Sequence, residues 1–148
     1  MEFKICKFNE LTVMEMYEIA RSRFEVFAME QKIIQEPELD GIDNECYQVF
    51  YMDNNRVIAY CRIVPAGIAY DNISLGRVLV LNDYRRKGLA QIMIKEALKF
   101  IKEELKEDTV VLSGQVYAKG LYESVGFKAI SDVYDEVHIP HVKMKIEL

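Results

Sequence analysis

The stretch that most constrains the fold runs from Ile73 to Leu105. An apolar run, Ile73-Ser74-Leu75-Gly76-Arg77-Val78-Leu79-Val80-Leu81, leads into Asn82-Asp83-Tyr84-Arg85-Arg86-Lys87-Gly88 and then a long amphipathic segment. Leu89, Met93, Ala97, Phe100 and Ile101 recur at three- and four-residue steps, with Lys95, Lys99 and Lys102 between them. That spacing predicts strand, tight turn and helix. The helix start is anomalous. First-turn N–H groups are unpaired and carry positive partial charge, so Ser, Thr, Asp or Asn caps and acidic neighbours are preferred there. Here Arg85, Arg86, Lys87 and Gly88 lead in instead. Three cations beside a positive helix end call for an anion, and Gly88 leaves room for its approach. A phosphate fits; a solvated surface cluster is the alternative reading.

Arg85-Arg86-Lys87-Gly88-Leu89-Ala90 follows the pattern Gln/Arg-x-x-Gly-x-Gly/Ala. With a strand before it and a helix after it, the segment resembles the turn by which GNAT N-acetyltransferases bind the pyrophosphate of acetyl-coenzyme A. That resemblance implies coenzyme contacts from Arg85, Arg86, Lys87, Gly88, Leu89 and Ala90.

The 148 residues suffice for one domain, 1–148, with its own core. A net charge of −5 argues against nucleic acid and anionic membrane as partners, because both need a basic face, and cationic character is confined to residues 85–87. Cys6, Cys46 and Cys61 are odd in number and lack C-x-x-C spacing. Reduced thiols in a cytoplasmic protein are therefore expected, with no metal site. No signal-like opening or long apolar run supports export or membrane spanning.

Taken in order, Phe3 to Phe8 alternates as a first strand, and Thr12-Val13-Met14-Glu15 is a capping box for a helix to about Met29. Residues 32–46 carry Pro37, Gly41 and the acids Glu36, Glu38, Asp40, Asp43 and Glu45, which read as an acidic loop. Its charge suits a cationic amine, although a solvated loop would need no ligand. Tyr47 to Met52 and Arg56 to Val64, split by Asp53-Asn54-Asn55, read as a hairpin. Thr109 to Ser113 is a further strand, Val116 to Ser124 a short helix capped by Gly126, and His141 to Leu148 a half-buried strand. The expected fold class is α/β: one domain with a mixed central sheet of about six to seven strands flanked by about four helices.

Tyr122, followed four residues later by Gly126-Phe127, resembles the helix whose Tyr lies near the coenzyme sulfur in the same family. Tyr122 would then protonate or hydrogen-bond the departing thiolate; packing alone is the competing role. A narrower resemblance, to the ElaA-like branch, spans nearly the whole chain. It rests on Arg23-Phe24-Glu25-Val26-Phe27-Ala28-Met29-Glu30-Gln31, Glu38-Leu39-Asp40-Gly41-Ile42-Asp43, Gly76-Arg77-Val78, Asp135-Glu136, and Ile139-Pro140-His141-Val142 with Met144. One departure is Gln48, where that branch commonly has His.

The resemblance implies direct transfer of an acetyl group from acetyl-coenzyme A to a primary amine of a small molecule or peptide, in a ternary complex. Backbone N–H groups of Val78, Leu79 and Val80 would bind the carbonyl and pantetheine, and Gln115 would supply polar groups where the sheet splays. Glu30, Glu136 and His141 are candidate bases beside water-mediated deprotonation, and no cysteine is required as nucleophile. Arg77 is open between a substrate contact and an ion pair. A noncatalytic acyl-coenzyme A sensor on the same fold is the second reading. A dinucleotide oxidoreductase lacks its Gly-x-Gly-x-x-Gly fingerprint here, and autoinducer synthases usually have longer chains.

Overall fold

A computed structural model describes residues 1–148. The strands are β1 (Glu2–Lys7), β2 (Tyr47–Asp53), β3 (Arg56–Val64), β4 (Ile73–Val80), β5 (Thr109–Gln115), β6 (Lys128–Ala129), β7 (Tyr134–Glu136) and β8 (Ile139–Glu147). The helices are α1 (Val13–Arg23), α2 (Leu89–Glu103) and α3 (Lys119–Ser124). One sheet runs β1-β2-β3-β4-β5-β8-β6, with β7 also paired to β8. Only β4 and β5 are parallel neighbours.

The expected α/β domain with a mixed sheet is present, but with eight strands and three α-helices. The additional strands, β6 and β7, are two and three residues long. Such lengths are too short to show a two-residue alternation. The first helix also differs: α1 ends at Arg23 and continues as a π-helical turn over Phe24–Glu30. Its start is as expected, since Thr12 Oγ1 accepts from the Glu15 N–H at 3.0 Å and Glu15 Oε1 from the Thr12 N–H at 2.8 Å. In the β2–β3 hairpin Asn54 and Asn55 both take positive φ, 49° and 61°, as a two-residue turn of matching twist requires.

The sheet is buried on both faces. Ala59, Cys61 and Ile63 of β3 join Met93, Ile94, Ala97 and Ile101 of α2 in one core, whereas Ile58 and Tyr60 join Ile19 of α1 in the other. Burial on both sides explains why β3 is almost continuously apolar. No helix is long and apolar enough to cross a membrane.

The acidic loop is held by arginines. Arg23, fully buried, donates to Glu38 Oε2 and Asp43 Oδ1, both at 2.7 Å, and to the Glu38 carbonyl at 2.8 Å. Arg62 reaches Asp40 at 2.6 and 2.8 Å and Asp43 at 2.9 Å, and Arg77 reaches Glu38 at 2.9 Å. Glu38, Asp40 and Asp43 are thus committed to structural cations, and the expectation that this loop offers its charge to a cationic amine does not hold for these three. Arg77 falls on the ion-pair side of its two readings. Gln48 is also structural: its amide donates to the Asp43 carbonyl at 3.0 Å and accepts from Tyr60 Oη at 2.5 Å.

The network gives a pH signature. Burial pushes the Asp40 carboxyl up, but the hydrogen bond and charge of Arg62, aided by Arg77, outweigh it and hold Asp40 down at about 2 against 3.8. A depressed carboxyl contributes stability that is present above its unfolded pKa and lost as pH falls through the folded one. Because Asp40 is partly exposed and screened by solvent, wild type should lose roughly 1 kcal/mol through it between about pH 4 and pH 2. Chemical denaturation at stepped pH should show a shallower acid loss for Asp40→Asn; identical slopes would remove Asp40 from this linkage.

Candidate active site

The site begins where the sheet fails to close. β4 and β5 pair only at Ile73↔Val110 and Ser74↔Val111, after which the strands part. A bulge lies on the other side of β4, where Arg77 and Val78 together oppose Cys61 between the pairs Arg62↔Gly76 and Tyr60↔Leu79. Arg77 adopts φ 54°, a left-handed conformation that costs a non-glycine residue about 1–3 kcal/mol. Its ties to Glu38 and Asp40 hold it there.

Two hollows border β4, one in the wedge and one at the start of α2. One, of about 150 Å³, is lined by Gly76, Arg77 and Val78 of β4, by Leu112, Ser113 and Gln115 of β5, and by Tyr122, Glu136 and His141. The other, of about 310 Å³, is lined by Val80, Arg85, Arg86, Gly88, Leu89 and Ala90. Leu79 lies between them on β4 but is buried in the core, so Val78 and Val80 are the two of the three predicted β4 residues that face open space. The two hollows thus lie against successive stretches of β4, one at the splayed strand ends and one at the helix start.

At the second hollow, α2 starts on Gly88 at φ 74°, with no side-chain cap and no acid in the first turn. A Cβ at Gly88 would meet nothing within 4 Å, so open space fronts the unpaired N–H groups. Arg85 differs from expectation. Its guanidinium holds Glu30 through contacts of 2.6 and 2.7 Å and donates from Nε to the Val80 carbonyl at 2.8 Å. Hydrogen bonding from Arg85 draws the Glu30 carboxyl below its usual range, despite partial burial. Glu30 is thus ion-paired and lines neither hollow, which separates it from Tyr122 and counts against it as a base. Lys87 lies over the Tyr84 ring at 5.6 Å.

Tyr122 is fixed from three sides. The end of α3 has the Phe127 N–H bonded to the Tyr122 carbonyl and the Gly126 N–H to that of Glu123, with Gly126 at φ 109°. This closure brings Phe127 edge-on against the Tyr122 ring at 6.1 Å. From β5, a Cβ at Gly114 would fall 2.9 Å from Tyr122 Cε2, so only glycine seats the ring at this depth. Burial pushes the phenol pKa up, so Tyr122 stays protonated and able to donate.

Gln115 donates to Gln31 Oε1 at 2.8 Å, and Gln31 donates to Tyr117 Oη at 3.3 Å. The partner of Gln115 is therefore a side chain rather than a vacated strand edge. A site role for Gln31 escaped sequence reading; it caps a π-helical turn, Phe24–Glu30, and lines the cavity with Phe27. Ser113 and Tyr134 escaped too: their hydroxyls hydrogen-bond each other, and Ser113 Oγ lies 3.4 Å from Glu136 Oε1. His141 Nε2 lies 3.3 Å from Glu136 Oε2. The three cysteines are buried, with burial pushing Cys46 up to about 11 and Cys61 up to about 12. Neither is a thiolate at neutral pH.

The acetyltransferase (GNAT) domain family matches residues 16–148. A Schizosaccharomyces pombe relative, UPF0039 protein C11D3.02c, is 41% identical over 150 residues, covering 100% of this chain and 98% of its own. Among solved structures, an acyl-CoA N-acyltransferase from Pseudomonas aeruginosa superposes with a TM-score of 0.90 at 28% identity, covering 99% of each chain. Escherichia coli ElaA superposes with a TM-score of 0.88 at 27% identity, covering 99% of this chain and 100% of that one. The chain belongs to the GNAT acetyltransferase family, in its ElaA-like branch.

Proposed function

We propose that the protein is an N-acetyltransferase that moves the acetyl group of acetyl-coenzyme A directly onto a primary amine of a small molecule or peptide. The observation that carries this reading is that β4 borders two hollows, one at an uncapped cationic helix start beside Val80 and one at a protonated, buried tyrosine beside Val78. Acetyl-coenzyme A would supply an activated thioester. The α2 N–H groups with Arg86 and Lys87 would hold its pyrophosphate, and Arg85 would join them on release from Glu30. The β4 backbone at Val78 and Val80 would receive the pantetheine and polarise the carbonyl, with Leu79 fixing the strand from the core side. Tyr122 would give its proton to the departing sulfur. With the cysteines buried and protonated, none of them is suited to carry the acyl group, which favours a ternary complex. A cytoplasmic location is consistent with three free thiols.

Two substitutions test the halves of this site. Gly88→Asp puts a carboxylate into the open space before α2 without a clash, at the strain of a left-handed φ of 74° that Asp bears better than most residues; in variant protein shown to be folded, acetyl-coenzyme A binding should fall more than tenfold, about 2 kcal/mol. Calorimetry decides this, and unchanged affinity would discard the turn as the pyrophosphate site.

Tyr122→Phe removes one oxygen and little volume, so coenzyme affinity should persist while kcat drops roughly 10- to 100-fold. The comparison needs an accepted amine and conditions in which chemistry limits turnover. Equal kcat would return Tyr122 to a packing role. Tight coenzyme binding with no transfer to any amine would favour the sensor reading instead.

A further inference from the structure

His141 is only 5% exposed, yet it lines the cavity that holds Tyr122. Its Nδ1 lies 2.7 Å from the Ile139 carbonyl oxygen. A carbonyl can only accept, so Nδ1 carries a hydrogen, and in the neutral ring Nε2 is left as an acceptor with a bare lone pair. Facing that lone pair, at 3.3 Å, is Glu136 Oε2, another acceptor. With the ring neutral these two acceptors face each other and a donor must come between them; with the ring protonated, Nε2–H itself donates to Glu136 as an ion pair. An ammonium group, with three N–H bonds, is the donor of matching shape and charge.

We propose that Glu136 and His141 form a two-acceptor cradle for a primary ammonium, and that His141 Nε2 takes the proton whose loss makes the amine a nucleophile; this rests on the transferase reading above. The surroundings agree. Ser113 Oγ supports the other oxygen of Glu136, and Tyr134, hydrogen-bonded to Ser113, stacks on the His141 ring at 6.3 Å and 25°. From the β3–β4 connection Tyr70 neighbours the same group, and burial, reinforced by Glu136 and Tyr134, pushes its phenol up. Across the cavity stand Glu36 and Glu38 from the loop, Tyr117 and Tyr122 beyond β5, and Arg77. Arg77 is the one Arg or Lys in the lining, and Glu38 and Asp40 already hold it. No Arg or Lys forms a salt bridge with Glu136; Lys143, opposite Ser113 on β8, lies over the Tyr70 ring at 4.7 Å. Phe27, Ile33, Pro37 and Val137 complete the wall, which fits a short apolar body behind the amine, while Glu36 and Glu136 oppose an acceptor carrying a carboxylate.

The protons balance. His141 Nε2 takes the first from the ammonium; the amine lone pair forms the C–N bond as the C–S bond breaks and its electron pair leaves with sulfur. Tyr122 protonates the sulfur and is restored by the second N–H proton. His141 returns its proton to solvent. The sum is amide, free thiol and one proton.

The chain has two histidines, and His138, with a side chain 79% exposed, serves as internal control. Side-chain nitrogen resonances followed in the whole protein with excess coenzyme A, titrated with n-butylamine, should show a saturable shift at His141 and none at His138. Butyltrimethylammonium, which has the charge but no N–H, should leave His141 unmoved. His141→Asn keeps a donor for the Ile139 carbonyl and removes the Nε2 acceptor. With an accepted amine its kcat/KM should fall roughly 100-fold at neutral pH and recover as pH approaches the amine's own pKa, with coenzyme affinity unchanged. Equal responses to both probes, no response to either, or a wild-type pH profile in folded His141→Asn would overturn the cradle and leave the transferase reading intact. A selective His141 shift with no thiol release would sustain the cradle and count against the transferase.

Discussion

The parting of β4 and β5 is the constraint from which the other features follow. Two paired positions hold these parallel strands at one end, and the remaining residues of each leave a row of backbone donors and acceptors without strand partners. Such an edge cannot be buried dry. In this chain it becomes the wall of a cavity, and the other side of β4 bulges at Arg77 and Val78 to keep pairing with β3 while the strand turns away. The core tolerates the opening because α2 packs across β3 and α3 closes beneath β5, where Gly114 admits the Tyr122 ring.

An opening of this kind needs a rigid rim. Arg23, Arg62 and Arg77 supply it by gripping Glu38, Asp40 and Asp43 from α1, β3 and β4. Buried ion pairs contribute little net stability because desolvation opposes them, but one partner without the other is costly. Their effect is to allow a single placement of the loop, which brings Glu36, Pro37 and Glu38 to the cavity. A loop of this length would otherwise be mobile.

Much of this was legible in the sequence, for reasons that differ by element. The strand, cationic turn and helix of residues 73–105 were readable because a long periodic pattern ends in a cap that violates the usual preference, and α2 does begin on an uncapped, left-handed Gly88. The blocks that carried the ElaA-like resemblance include Arg23, Glu38, Asp40, Asp43 and Arg77, the same residues that meet in the ion-pair network. What a one-dimensional pattern could not disclose is pairing across distance. The Arg85–Glu30 contact joins residues 55 apart, and Gln115–Gln31 joins residues 84 apart. Nor does period-based reading register a π-helical turn such as that over Phe24–Glu30, which contains Phe27 and ends beside Gln31, both in the cavity lining. The position of Gln48 shows the same limit: beside a functional-looking motif in the sequence, it is buried and satisfied in the fold.

The proposed chemistry depends on acceptor and coenzyme occupying adjoining parts of one wedge together, with no acyl group resting on the protein. Initial rates of thiol release, measured over a grid of acetyl-coenzyme A and amine concentrations, test that dependence most directly. The account predicts double-reciprocal lines that intersect, as a ternary complex requires; parallel lines, the pattern of an acyl-enzyme intermediate, would contradict it.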